Sequence, residues 1–125
     1  AVNVTVSNPV TQTPYGGSAW PIPGKIEAEN YDRGGQNVAF NETTTANQGG
    51  AYRTGEAVDV EPCTDNGGGF NVGYIVEGEW LEYTVKVASS GTYNLAVSVA
   101  ATSSGKTFHM EIDGSNLTGT LTVPN

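Results

Sequence analysis

The chain has 125 residues, with 13 acidic and 5 basic side chains, a formal net charge of −8 and 17 glycines. A protein this acidic is a poor partner for nucleic acids or anionic membranes, because both are bound by clusters of Lys and Arg, and no apolar run approaches the roughly 18 residues that span a bilayer. Frequent glycine and β-branched residues without helical periodicity predict short strands joined by turns, and therefore an all-β protein of the β-sandwich class.

The N-terminal segment predicts a connection between modules. Residues 1–7 alternate valine with polar residues, which indicates a strand. Residues 11–24 contain three prolines and three glycines, a composition typical of an ordered linker that Trp20 would pin to the domain surface. We therefore predict an inter-module linker and the end of a preceding module over residues 1–22, and one domain over residues 23–125.

Two glutamates in the stretch KIEAENY, residues 25–31, share one face if the stretch forms a strand. Glu27 and Glu29 would repel each other there unless a cation lies between them. One interpretation is an exposed acidic edge. The other is a Ca²⁺ site, since Ca²⁺ takes several oxygen ligands and would stabilise a domain that has no disulfide.

The stretch from residue 32 to residue 55 is polar and contains glycines, and only residues 38–40 suggest a strand. It is predicted to be a long surface loop, a place where binding specificity is commonly located. A short strand is predicted over residues 57–61, with Asp59 and Glu61 on the same face.

Residues 67–87, GGGFNVGYIVEGEWLEYTVKV, combine strand periodicity with aromatic residues outside the expected core. Leu81, Tyr83 and the two valines that follow alternate toward a core, which places Trp80 on the polar face. A Trp in that position is either covered by a loop or part of a contact surface. Tyr74 ends the preceding short strand and is either a core residue or exposed at the strand end.

The last third of the chain predicts further strands. Residues 93–101 alternate apolar and polar residues and are expected to form a hairpin with the Trp80 strand. Their small outward residues would leave the Trp80 ring uncovered, which favours a contact surface. Residues 113–116 predict a turn and residues 117–123 a last strand, while the strand before the turn is predicted to point three side chains inward: Phe108, Met110 and Ile112.

Side chains suited to catalysis are scarce. Cys63 is the only cysteine and His109 the only histidine, and the alternation places His109 on an outer strand face, so neither a Ser/His/Asp system nor a zinc site is indicated. Glutamates around Trp80 are the remaining option, as a carboxylate pair of the glycosidase type. Because Glu79 and Trp80 point to opposite faces of one strand, we predict a protein without enzymatic activity.

Several motifs in order resemble one known family. They are IEAENYD at residues 26–32, the stretch at residues 67–87, SSGTYNLAVSVA at residues 89–100 and GTLTVPN at residues 119–125. From near Pro23 to the C-terminus, the sequence closely resembles the family 6 carbohydrate-binding modules that are appended to polysaccharide-degrading enzymes.

The resemblance implies a β-sandwich of the jelly-roll type, structural calcium and up to two sugar sites without catalysis. Tyr74 matches the stacking ring of a site among the loops. Trp80 matches the ring of a site on the concave sheet face, where Glu61 matches an acidic hydrogen-bond partner. Glu27 and Glu29 match carboxylate ligands of the calcium ion.

The resemblance also sets expectations for the whole protein. Family members continue beyond the segment VPN with further strands, so residues 23–125 are expected to be a C-terminally truncated module. The long loops are similar to those of members that accompany agarases and β-glucanases. The expected role is a secreted, extracellular module that targets an attached glycoside hydrolase to a plant or algal cell-wall polysaccharide; the alternative is a structural or adhesion module without a working sugar site.

Overall fold

The computed structural model describes Val2 and residues 9–65 and 67–124. Within these residues the elements are ten short strands and two 3₁₀ helices, with no α-helix, so the all-β prediction is confirmed and the small sheets are consistent with a β-sandwich. The 3₁₀ helices are Tyr15–Gly17 and Ala28–Asn30. The strands are β1 Trp20–Ile22, β2 Phe40–Asn41, β3 Val60–Pro62, β4 Phe70–Val72, β5 Trp80–Leu81, β6 Val85–Val87, β7 Thr107–Phe108, β8 Glu111–Ile112, β9 Ser115–Asn116 and β10 Leu121–Thr122.

The chain divides into two compact units, Ala1–Gly91 and Thr92–Asn125. In the first unit, β1 pairs with β6 in parallel, while β2 pairs with β5 and β3 with β4 in antiparallel fashion. In the second unit, β7 pairs with β10 and β8 with β9, both antiparallel. No helix in the described part of the chain is long and apolar enough to cross a membrane.

The first unit has a small core around two aromatic residues. Tyr31 and Phe40 meet edge to face with ring centroids 5.5 Å apart, and Leu81 and Tyr83 pack against them, as the strand alternation predicts. The same alternation predicts that Val87 points toward the core, and this is wrong, because Val87 is 45% exposed. The fully or nearly fully buried apolar residues of this core are Tyr31, Ala39, Phe40, Val58 and Val60.

The segment predicted as a linker contains a strand. The Trp20 amide donates to the Thr84 carbonyl at 2.9 Å, and β1 continues in register with β6. The buried Asp32 carboxylate adds a second tie, since it accepts from Gln12 Nε2 at 2.7 Å and from the Thr84 amide at 2.9 Å. The prediction of no element over residues 11–24 is therefore wrong at Trp20–Ile22, because partners distant in sequence supply the pairing. Apart from Val2, the predicted strand over residues 1–7 lies outside the described residues.

The strand predicted over residues 25–31 is also wrong. The Asn30 amide donates to the Glu27 carbonyl at 3.0 Å and closes a 3₁₀ turn at Ala28–Asn30. Successive residues of such a turn are rotated by about a third of a circle, so the period of two that put both glutamates on one face is lost. Glu29 is consequently buried, at 8% exposure, while Glu27 is exposed.

In the second unit the predicted strand over residues 93–101 is absent. These residues have no regular secondary structure. The alternation of apolar and polar residues predicts which side chains would share a strand face, but it does not predict whether another strand is present to pair with. The predicted turn is confirmed as a two-residue connection between β8 and β9, with φ +49° at Asp113 and +75° at Gly114. Met110 and Ile112 are exposed and contradict their predicted inward orientation, whereas Phe108 is half-buried.

Candidate functional site

An exposed apolar loop joins β4 to β5. We call residues 74–80 the aromatic loop, because Tyr74 begins it and Trp80 ends it. Tyr74 is 56% exposed and Trp80 40%, and between them Ile75 and Val76 are also exposed. Four large exposed apolar side chains within one short loop are a concentration of the kind that marks contact surfaces. The strand alternation that placed Trp80 on the outer face is borne out by this exposure.

Hydrogen bonds hold the aromatic loop in place at several points. The Val76 amide donates to Glu79 Oε2 at 2.9 Å, and Gly78 allows the tight return with a φ of +93°. From outside the loop, Asn41 Nδ2 donates to the Gly78 carbonyl at 2.8 Å and the Thr43 hydroxyl to Glu79 Oε1 at 2.7 Å. Gly78 and Glu79 are therefore tied to neighbouring segments, while the large apolar side chains of the loop remain exposed.

A pair of carboxyl groups lies under this loop. Burial raises the pKa of Glu42, and hydrogen bonding to Glu79 raises it further. Burial also raises the pKa of Glu79, but hydrogen bonds from Glu42, Thr43 and the Val76 amide outweigh it and lower that pKa. The two pKa values are therefore shifted in opposite directions, so that Glu79 loses its proton before Glu42 as pH rises.

This carboxyl pair does not have the geometry of a glycosidase. Retaining and inverting glycosidases hold their two carboxyl groups about 5 Å or more apart, with the sugar bond between them. Glu42 and Glu79 are directly hydrogen-bonded to each other and to loop amides, which leaves no space for a substrate. The pair supports the loop.

Glu61 lies on β3 opposite Asn71 of β4. Asn71 Nδ2 donates to Glu61 Oε1 at 3.1 Å, so an amide and a carboxylate are held side by side on one sheet face. Gly73 lies so close that an added Cβ would come within 2.9 Å of Glu61 Oε1. Asp59, which the sequence placed on the same face, is buried and accepts from the amide and side chain of Gln48 instead.

The structure joins some of the predicted sugar-binding residues and leaves others apart. Tyr74 and Trp80 occupy the two ends of one pinned loop. Glu61 belongs to the β3–β4 pair, whereas Trp80 pairs with Asn41 in the separate β2–β5 pair. Among the described contacts, none joins Trp80 to Glu61.

The two predicted calcium ligands are in different environments. The Glu27 carboxylate is 2.5 Å from the Lys25 ammonium, at an exposed position. Glu29 is buried as a residue, but its carboxylate oxygens are not among the buried side-chain atoms that lack a hydrogen-bond partner. A carboxylate is an oxygen ligand of the kind that Ca²⁺ prefers. The described residues contain no group of three or more His, Cys, Asp or Glu side chains that could hold a metal.

The two single-copy residues considered for catalysis are structural or exposed. His109 is exposed and pairs with Glu111 at 2.9 Å. A backbone hydrogen bond at Asp65 lowers the pKa of the Cys63 thiol, but the hydrogen bond to the Asp65 side chain and its charge outweigh it and raise that pKa. A thiol that stays protonated is a weak nucleophile.

Sequence reasoning missed a cluster formed by the supposed linker and the supposed surface loop. Tyr15, Arg33 and Arg53 meet around one cavity, although they are far apart in the chain. The available signal was compositional: the two arginines of the sequence, Arg33 and Arg53, both line this cavity.

Comparison with known proteins agrees with this geometry. The family model described as Carbohydrate binding module (family 6) matches residues 48–125, a span that contains Glu61 and the whole aromatic loop but not Glu27, Glu29 or Tyr15. A search of the curated proteins returned no match. The family match covers more than half of the chain, and the chain belongs to the family 6 carbohydrate-binding modules.

Proposed function

We propose that this carbohydrate-binding module is non-catalytic and holds an attached glycoside hydrolase against a plant or algal cell-wall polysaccharide. The observation that carries the proposal is the pair of exposed rings, Tyr74 and Trp80, on a loop that Asn41 and Thr43 tie down by hydrogen bonds. A surface that exposes its apolar side while its polar side is tied down is suited to a ligand with apolar faces.

The mechanism follows from the chemistry of sugars. A pyranose presents C–H groups on its faces, which stack on an aromatic ring, and hydroxyl groups at its edges, which need hydrogen-bond partners. The Glu61 carboxylate and the Asn71 amide are paired groups of that type. Because the hydroxyls are already well solvated in water, we expect weak binding, in the micromolar to millimolar range or about −4 to −8 kcal/mol.

A loop that is already fixed loses little conformational freedom when it binds. Ordering a side chain at an interface costs about 0.5–1.5 kcal/mol for each immobilised group. The hydrogen bonds from Asn41 and Thr43 hold the loop in one conformation before the sugar binds.

Further parts of the proposal follow from the resemblance and from charge. Calcium would be held by Glu29, with Glu27 joining it if Lys25 is displaced, and would stabilise the fold without taking part in binding. The module would be secreted together with its catalytic partner. A net charge of −8 opposes association with nucleic acids and anionic membranes.

The test is a Trp80→Ala variant measured on insoluble polysaccharides and by calorimetry with soluble oligosaccharides. Loss of the stacking ring should weaken binding by about 1–3 kcal/mol. Tyr93→Ala is the matched control, since Tyr93 has a similar exposure of 38% but lies outside the aromatic loop. Unfolding is followed in parallel, because the Trp80 ring is partly covered.

Three outcomes separate the alternatives. Binding that is lost in Trp80→Ala and retained in Tyr93→Ala supports the proposal. Failure of the unmodified chain to bind any polysaccharide indicates a structural or adhesion module. Release of reducing sugar from a polysaccharide would identify an enzyme and contradict the non-catalytic role.

A further inference from the structure

A concave surface in the first unit is lined by none of the residues of the aromatic loop. It is a cavity of about 420 Å³, within the ~300–1,000 Å³ range of small-molecule sites. The lining residues are Tyr15, Arg33, Arg53, Thr54, Gly55 and Glu56.

One of the two arginines of this cavity is fully committed to the fold. Arg53 has a side chain that is 6% exposed, and its Nε is 2.5 Å from Glu56 Oε2. Its terminal nitrogens donate to the carbonyls of Tyr31 and Asp32. Its guanidinium carbon also lies 3.5 Å from the centroid of the Tyr31 ring. The charge of Arg53 is therefore balanced by Glu56 and held against the core.

The second arginine is held in place but has no ionic partner. The backbone of Arg33 exchanges hydrogen bonds with Thr13 at 2.8 and 2.9 Å. Its guanidinium carbon lies 5.2 Å from the centroid of the Tyr15 ring, close enough for cation–π attraction. Among the described residues no carboxylate forms an ion pair with Arg33, although the chain has 13 acidic residues. The cavity consequently has a local excess of positive charge in an acidic protein.

The Tyr15 side chain is also held in place by contacts with its neighbours. The Tyr15 and Tyr52 hydroxyls are 2.8 Å apart, and the Tyr52 hydroxyl donates to Asn30 Oδ1 at 2.7 Å. Tyr52 in turn stacks on Phe70 with centroids 4.8 Å apart. The wall that supports Arg33 is therefore connected through aromatic contacts to the core.

The backbone beside the cavity adopts an unfavourable conformation. Tyr52 has a φ of +48° and Arg53 a φ of +20°, in two consecutive residues that carry side chains. Left-handed backbone costs such residues roughly 1–2 kcal/mol each, and strain of this kind is concentrated at functional sites.

From these contacts we infer that the cavity beside Arg33 binds an oxyanion carried by a sugar, either a carboxylate or a sulfate ester. A guanidinium presents parallel N–H groups that match both oxyanions. Thr54 and Gly55 also line the cavity, and a Cβ added at Gly55 would meet no atom within 4 Å, so this position has space for a ligand. This inference rests on the family's sugar binding but not on the proposed role of the aromatic loop.

The experiment compares three trisaccharides of equal length by calorimetry: one with carboxylates, one with sulfate esters and one neutral. Arg33→Gln should weaken binding of at least one acidic trisaccharide by about tenfold or more, the loss expected when a hydrogen bond to a charged group is removed. Arg33→Lys, which keeps the charge without the paired N–H groups, should lose part of the affinity. The neutral trisaccharide should be unaffected by either change.

Two further variants keep the result interpretable. Lys86→Gln removes the same charge from an exposed position on β6 and should leave acidic-sugar binding unchanged. Gly55→Leu adds a large side chain at a lining position without changing the charge and should reduce binding as strongly as Arg33→Gln. Melting temperatures of all variants should stay close to that of the unmodified chain. For the Arg33 variants the reason is that the Arg33 guanidinium makes no ion pair in the described structure.

Several results would overturn the inference. Equal weakening by Lys86→Gln and Arg33→Gln would indicate long-range charge instead of a site. Loss of acidic-sugar binding in Trp80→Ala but not in Arg33→Gln would place these sugars on the aromatic loop. Sodium sulfate that competes as well as the sulfated trisaccharide would show a general anion site without sugar recognition. If the aromatic-loop proposal is wrong, Trp80→Ala will leave the affinity for the neutral trisaccharide unchanged. That result would not affect the inference about the Arg33 cavity.

Discussion

Tyr74 combines an exposed ring with a backbone conformation that is unfavourable for tyrosine, so its proposed role in sugar binding can be tested separately from its effect on stability. Its φ is +53°, in a region that costs an L-residue roughly 1–2 kcal/mol and costs glycine almost nothing. The perturbation is a pair of substitutions, Tyr74→Gly and Tyr74→Ala. Both remove the ring, and only the first removes the strain.

The magnitudes follow from exposure and φ. The side chain is 56% exposed, so less than half of it is covered. At ~25 cal/mol for each Å² of apolar surface, removal of the covered part of an aromatic side chain costs about 2 kcal/mol in both variants. Glycine then recovers about 1 kcal/mol of strain. Tyr74→Gly should therefore be about 1 kcal/mol more stable than Tyr74→Ala, the reverse of the usual preference for alanine.

Urea unfolding of the three proteins measures this difference, and Ala46→Gly is the control. Ala46 is exposed and is not among the residues with positive φ, so glycine should destabilise the protein there by about 0.5–1 kcal/mol. Calorimetry with oligosaccharides should show equal loss of affinity in both Tyr74 variants. Equal stability of the two variants would show that residue 74 is not held in the left-handed region. Unchanged sugar affinity would remove the Tyr74 ring from the binding site.

Two further predictions concern acidic groups. Glu42 has a raised pKa, so it stabilises the fold at low pH. This contribution is lost as pH rises from the ordinary glutamate range through the raised pKa. Glu79 has a lowered pKa, so it stabilises the fold above the ordinary range, and that contribution is lost as pH falls through the lowered pKa. Glu42→Gln should therefore gain stability relative to the unmodified chain as pH rises from about 4 to 8, and urea midpoints that run parallel over this range would contradict it. Ca²⁺ should raise the melting temperature, EDTA should reverse the rise, and Glu29→Gln should remove the response while Glu82→Gln, at an exposed glutamate, keeps it. A melting temperature that does not change when Ca²⁺ is added would contradict the metal site.

The sequence by itself determined the fold class, the family and the outward orientation of Trp80, while it left open whether Tyr74 is buried or exposed. Strand alternation is a local property, and where two strands do pair over a core it decides which side chains point inward. Leu81 and Tyr83 pack on the core and Trp80 is exposed for this reason. The glycines before and within the loop similarly predict where the chain turns, because their conformational freedom is a property of the residue alone.

Only the tertiary structure decided which segments pair and which charges are buried. Residues 93–101 have the alternation of a strand but no strand partner in the described structure, whereas Trp20–Ile22, with a proline at its centre, pairs with β6. The burial of Asp32 and the meeting of Tyr15 with Arg33 and Arg53 depend on contacts between segments that are distant in the sequence. Local patterns cannot contain this information, because the energy of a strand edge or a buried charge depends on the partner that reaches it, and that partner is selected by the packing of the whole unit.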